Sequence, residues 1–298
     1  MRDILVTGGN GQLGTELQRF AWPDGWRAVA IDMAELDLTD AAGIAAMVAS
    51  RPWAAVINGA AYTAVDKAES DVVTAWAINA LAPAAFATAC AAADIPLVQV
   101  STDYVFDGSK PGGWEPGDAI GPLNVYGASK LGGELAVRTA CRRHAIVRTS
   151  WVVSAHGNNF IKTMLRLAAD RDSLSVVADQ HGAPTAAAGL AATLATIAMR
   201  MADDATIAGT WHVSNAGATT WAGFAEAIFA GSTARGGPGA DVVPIATIDY
   251  PTPAQRPMQS LLSHAALHRD FAIAPRPWQA ALDDILDELI GPSKETHE

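Results

Sequence analysis

The sequence predicts an α/β fold in which a doubly wound, Rossmann-type parallel sheet carries a smaller C-terminal lobe. Three observations lead to that expectation. Short apolar runs alternate with helix-length segments through the first half of the chain. Those runs are nearly continuous in apolar residues, as in strands buried on both faces. A glycine-rich turn joins the first run to the first helical stretch. Half of the 298 residues are hydrophobic and 17% are charged, enough apolar material for a substantial core.

The expected strands are Ile4 to Thr7, Ala28 to Asp32, Ala54 to Asn58, Leu97 to Ser101 and Ile146 to Thr149. Helix-length sequence separates each from the next, so right-handed crossovers and a parallel sheet follow. Pro96 precedes the fourth strand, where a missing N–H costs least. Beyond Trp151 the pattern loosens. Helices are expected over Asn158 to Ala169, Ala186 to Met201 and Trp278 to Ile290, and one more strand over Gly209 to Val213. The glycines between 231 and 239 suggest a surface loop, and Pro251, Pro253 and Pro257 a stiff irregular segment.

The net charge of -11 argues against a nonspecific grip on nucleic acid or an anionic membrane. Alanine-rich stretches are expected to be broken by charge or proline before they could span a bilayer, and a strand-like run begins directly after Met1-Arg2-Asp3. A cytoplasmic location is therefore expected. Cys90 and Cys141 have no paired metal-ligand spacing and read as reduced core thiols. His181 and His212 likewise offer no metal spacing.

The first strand ends in a turn where Gly8, Gly11 and Gly14 recur every third residue, with Gln12 and Leu13 between the last two. Missing Cβ atoms let such a turn approach a pyrophosphate, whose charge would sit at the following helix N-terminus. The same residues also suit an ordinary strand-to-helix turn. Asp32 closes the second strand about 20 residues further on, where a carboxylate can bond the adenosine ribose or simply cap a turn. No Lys or Arg follows Asp32 directly, which leans towards NADH over NADPH. Asp37 could approach the adenine or precede a helix cap. Residues 1–150 then read as a dinucleotide-binding domain, with elements near 186–215 returning to it. Residues 151–298 read mainly as a substrate-binding lobe.

Tyr126 and Lys130 stand four apart at an expected helix start, so they share one face. An ammonium near a phenol favours the phenolate and would tune it for proton transfer. Thr102 follows the strand at Leu97 to Ser101, at the carboxyl edge where open α/β sheets bind ligands. Its hydroxyl could bond a carbonyl oxygen beside the phenol, or merely cap backbone.

These pieces resemble the extended short-chain dehydrogenase/reductases, and among them the dTDP-4-dehydrorhamnose reductases. The matching segments run in order from Asn58 to Ser70, Pro122 to Gly127, Arg148 to Val152, Gly157 to Phe160, Asp179 to Thr185 and Pro251 to Pro257. The resemblance implies reduction of a dTDP-linked 4-keto-deoxysugar by NADH or NADPH. Tyr126 would donate the proton, Lys130 would tune it and anchor the nicotinamide ribose, and Thr102 would supply the second hydrogen bond. Gly11, Gln12, Leu13, Asp32, Asp37 and Leu38, with Ala61, Tyr62 and Thr63, would line the cofactor. Thr102, Asp103 and Trp151 would meet the nucleotide sugar, although Trp151 could equally be core. The planar guanidinium of Arg256, in a proline-stiffened loop, suits a diphosphate or is an exposed loop charge. Asn159, Lys162 and Arg166 could add positive or polar character, or form a solvated helix face.

Some members of that family hold a magnesium ion between subunits. Glu16 matches one carboxylate of that arrangement, but Ala188 stands where a second glutamate would be. No catalytic metal is expected, and the chain is expected to be a monomer or weak homodimer. Two other readings share the fold: a noncatalytic nucleotide-binding regulatory subunit, and a nucleotide-sugar epimerase or dehydratase. The chain keeps Thr102, Tyr126 and Lys130, against decay of a site. It has Asp103-Tyr104 where a dehydratase often carries Asp-Glu.

Overall fold

The computed structural model describes residues 1–293. The first part of the chain gives β1 (Arg2–Thr7), α1 (Gln12–Arg19), β2 (Trp26–Ile31), α2 (Ala41–Ala49) and β3 (Ala55–Asn58). Then come α3 (Val65–Ala68), α4 (Val72–Trp76), α5 (Ala82–Ala92), β4 (Leu97–Thr102), α6 (Val125–Ala140) and β5 (His144–Thr149). The later part holds β6 (Val152–Val153), α7 (Phe160–Ala168), β7 (Ser173–Val177), β8 (His181–Gly182), β9 (Thr185–Ala186) and α8 (Ala187–Asp203). It ends with β10 (Gly209–His212), β11 (Thr219–Thr220), α9 (Trp221–Ala234), β12 (Asp241–Ile245), α10 (Ala265–Phe271) and α11 (Trp278–Leu289).

Six strands form one parallel sheet in the order β10-β5-β4-β3-β1-β2. The chain runs outward from β1 to β2 and then returns to β3 on the opposite side of β1. That reversal opens a crevice at the carboxyl ends of β1 and β3. All five strands expected from the first half are present, with ends differing by one or two residues. β10 joins the far edge beside β5, so residues after 186 do contribute to the large sheet.

Alternation along β1 sends Ile4 and Val6 to one face and Leu5 to the other. The first face is covered by α1, α8 and α10, through Leu17, Leu194, Ile197 and Phe271. The second is covered by α2, α5 and α6, through Ile44, Val48, Phe86 and Val137. Cys90 and Cys141 are buried free thiols on this side. A separate apolar cluster gathers α7, α9 and α11 over β7, which pairs in parallel with β12.

Two expectations need correction. The glycine-rich region at 231–239 is not wholly loop, because α9 continues to Ala234 and buries Ile228, Phe229 and Ser232. Tertiary packing overrides the weak helix propensity of Gly231 there. The second concerns Val72–Ala92, which holds no charged residue and is long and apolar enough to cross a membrane. Pro83 does not end the run, because it closely follows the π-helical turn at Ala77–Leu81, where the regular hydrogen-bond ladder is already interrupted. In this fold α5 packs between α2 and α6.

Candidate active site

The helical run from α4 to α5 passes through one π-helical turn at Ala77–Leu81. The extra residue turns Asn79 inwards, where it is buried. Its side chain accepts from the Tyr62 backbone N–H and donates to the Tyr62 carbonyl at 3.0 Å and to Ser129 Oγ at 3.0 Å. One amide thereby ties the loop after β3 to helix α6. Nothing in the local sequence pattern marks Asn79; the signal lies in backbone geometry.

Helix α6 begins at Asn124, whose side chain accepts from Gly127 N–H at 2.8 Å. A Cβ on Gly127 would lie 2.2 Å from the Tyr104 carbonyl oxygen. Only glycine lets the first turn of α6 press against the turn at Thr102–Tyr104. That contact brings Tyr126 beside Thr102, and both line the same cavity. Tyr104 packs edge-on against the Tyr126 ring, 5.5 Å between centroids.

Burial pushes the Tyr126 phenol up to about 12, with the neighbouring Thr102 hydroxyl opposing the shift. The same desolvation brings the Lys130 ammonium down to about 8, with the Glu134 carboxylate opposing. Lys130 Nζ donates to the Val100 carbonyl at 2.7 Å. The expected lowering of the phenol by the lysine charge does not contribute to this shift, which desolvation dominates. The phenol stays protonated at neutral pH, the form a proton donor needs. Thr102 also donates to Asp103 Oδ1 at 2.9 Å, and burial raises that carboxyl to about 6.

These groups line a cavity of about 770 Å³ at the carboxyl edge of the sheet. The glycine turn forms its floor at the other end, with Gly8, Gly11, Gln12, Leu13 and Gly14 among the lining residues. A Cβ on Gly14 would fall 2.0 Å from the Gly8 carbonyl oxygen, so helix α1 can start this close to the turn only without one. Gly11 supplies no side-chain cap. The first N–H groups of α1 are left for an anionic guest. Gln12 is fixed from the other lobe, since Asn159 Nδ2 and Ser154 Oγ donate to its Oε1 at 2.9 and 3.1 Å. Beneath the cavity, Thr7 donates to Asn58 and Asn58 to Gln99, a polar ladder across β1, β3 and β4.

Asp32, Asp37, Leu38, Ala61, Thr63, Asp103 and Trp151 complete the expected lining. Asp32 already accepts from Asn10 N–H at 2.6 Å and Met33 N–H at 2.7 Å, so it also braces the glycine turn. Asp37 is held below the usual carboxylate range by the Thr39 backbone and hydroxyl. Among the lining residues described, Lys130 is the sole cation. The residues present fit a dinucleotide: a glycine cradle, an uncapped helix start and a long crevice over the switch point.

Two expected residues stand elsewhere. Tyr62 is outside the lining, and its hydroxyl reaches Asp71 at 3.1 Å. Arg256 is outside it too; its guanidinium forks onto Asp66 at 3.0 and 2.7 Å and donates to Thr252 and Ala254. A fixed carboxylate within reach takes the fork that a diphosphate was expected to fill. Lys162 is likewise turned to the Ala155 carbonyl. His212 is buried between the Trp114 carbonyl and Arg148, which, with desolvation foremost, brings it down to about 3. No group of three or more metal-ligating side chains gathers among the described residues.

Sequence reasoning also missed Trp221, which lines the cavity beside Trp151. The two indoles stack with centroids 3.6 Å apart. Trp151 itself has φ +47°, the left-handed region, which costs an L residue about 1–2 kcal/mol.

Comparison with known proteins agrees with this geometry. The model of the RmlD substrate binding domain matches residues 1–290. A dTDP-4-dehydrorhamnose reductase from Sinorhizobium fredii is 42% identical, covering 93% of this chain and 94% of its own. That of Escherichia coli K12 is 41% identical over 96% and 98%. The crystal structure of the Bacillus anthracis dTDP-4-dehydrorhamnose reductase in complex with NADP superposes with a TM-score of 0.90 at 36% identity, covering 97% of this chain and all of that one. The match passes through both lobes and the cavity between them: the chain belongs to the dTDP-4-dehydrorhamnose reductase family.

Proposed function

We infer that this protein reduces the 4-keto group of dTDP-4-dehydro-L-rhamnose to give dTDP-L-rhamnose, using NADH or NADPH. The observation that carries the reading is that Tyr126, Thr102 and Lys130 line one cavity together with the glycine cradle of residues 8–14. The nicotinamide supplies hydride when bound. Tyr126 donates its proton to the carbonyl oxygen as negative charge develops there, and the Thr102 hydroxyl rotates to give that oxygen a second hydrogen bond. Lys130 holds positive charge behind the phenol and can reach a ribose hydroxyl. Asp103 and Trp151 orient the sugar.

Asp32 binds the adenosine ribose, and the scarcity of cations in the lining favours NADH over NADPH. Nothing in the site supports decay to a regulatory subunit, since Thr102, Tyr126 and Lys130 are assembled. We further propose a cytoplasmic enzyme that is a monomer or weak homodimer. Glu16 is engaged within its own chain, 3.3 Å from His156 and 4.0 Å from Arg19. Incubation with a panel of keto-sugar nucleotides tests the assignment. Loss of nicotinamide absorbance is expected with dTDP-4-dehydro-L-rhamnose; no loss with it, or equal loss with unrelated keto compounds, would overturn the reading.

A further inference from the structure

The Trp151 ring is held by two contacts. A Cβ on Gly182 would stand 2.7 Å from two atoms of the indole, so that ring lies directly against the glycine. Its second constraint is Trp221, stacked nearly parallel at 13°. Trp221 opens α9 after the Thr220 cap, which accepts from Gly223 N–H at 3.1 Å. Thr219 and Thr220 pair with Gly182 and His181, so one short ribbon sets both constraints together. Phe160 leans on Trp221 at 4.7 Å, Phe160 stacks on Phe224, and Phe224 meets Trp278 edge-on. An aromatic series thus runs from the cavity to the core of the second lobe.

We propose that Trp221 is a positioning residue for the nucleotide sugar: it fixes the Trp151 indole, whose strained backbone does not fix it alone, at the wall of the substrate end. The proposal rests on the reductase reading for the identity of that ligand. It assigns the stack to sugar-nucleotide recognition and leaves cofactor binding, at the glycine end, untouched.

The test compares wild type with Trp221→Ala, Trp221→Phe and Gly182→Ala. Calorimetric titration with dTDP-L-rhamnose gives Kd, titration with NADH gives the cofactor Kd, and turnover gives KM and kcat. Trp221→Ala is expected to weaken dTDP-L-rhamnose and raise KM by roughly tenfold, with kcat within about twofold and NADH affinity unchanged. The far-ultraviolet exciton couplet of the stacked indoles should vanish in that variant. Trp221→Phe should recover most of the affinity. Gly182→Ala, which displaces Trp151 without touching Trp221, should reproduce the selective loss even if Trp221→Ala folds poorly. Unchanged sugar-nucleotide affinity, or an equal loss for NADH, would overturn the proposal. Wild-type protein that binds dTDP-L-rhamnose but never oxidises NADH would sink the reductase reading instead, while the Kd ratios still decide the role of Trp221.

Discussion

Tyr126 and Lys130, the two groups proposed to handle the proton, take their character from desolvation. Tyr126 and Lys130 are shifted in opposite directions by the same cause, because burial disfavours phenolate and ammonium alike. The donor therefore remains charged with its proton across the physiological range. At the other end of the cavity, Asp32 meets two backbone N–H groups and still borders the space expected for the adenosine ribose. Asp32→Ala is expected to weaken NADH by roughly tenfold, a lost charge-assisted hydrogen bond, and NADPH by much less. Fluorescence titration of both nucleotides measures this. Equal losses would assign Asp32 to bracing the glycine turn alone.

At the scale of elements, α6 is seated by a buried ion pair. Glu134 and Arg148, 0% and 1% exposed, join α6 to β5 through two bonds of 2.8 Å, and Arg138 adds a third to the same carboxylate. Tyr126, Lys130 and Glu134 follow one another at four-residue spacing on that helix, so the clamp fixes the face that carries the proposed acid. Glu134→Gln leaves the guanidinium buried without its counter-charge. Chemical denaturation should show a loss of about 3–5 kcal/mol. A loss below about 1 kcal/mol would mean that the pair does not anchor the helix.

Much of this element-level plan was legible in the sequence. The glycine turn, the five strands of the first half and the Tyr-Lys spacing are local patterns, and they stand where expected. What the chain order conceals is long-range pairing. The Asp66–Arg256 fork joins residues 190 apart and withdraws Arg256 from the cavity. The pairing of β7 with β12 and the Trp151–Trp221 stack are equally nonlocal. The inward turn of Asn79 depends on one extra residue in a helix, which hydrophobic periodicity does not register.

Across the whole molecule, the segments that carry the family resemblance are those that meet. Asn159 reaches back to Gln12, Glu69 accepts from Val125 N–H, and Asn124 donates to the Gln255 carbonyl. The large sheet provides the crevice and the proton donor, and the second lobe closes the outer wall with Trp221. The cavity is thus complete only when both lobes pack, with the phenol at its inner end. The most direct test is nicotinamide absorbance with dTDP-4-dehydro-L-rhamnose for wild type and Tyr126→Phe, alongside NADH titration. The account predicts that the substitution lowers turnover by at least about 100-fold while the Kd for NADH stays near that of wild type. Turnover at the wild-type rate would contradict it.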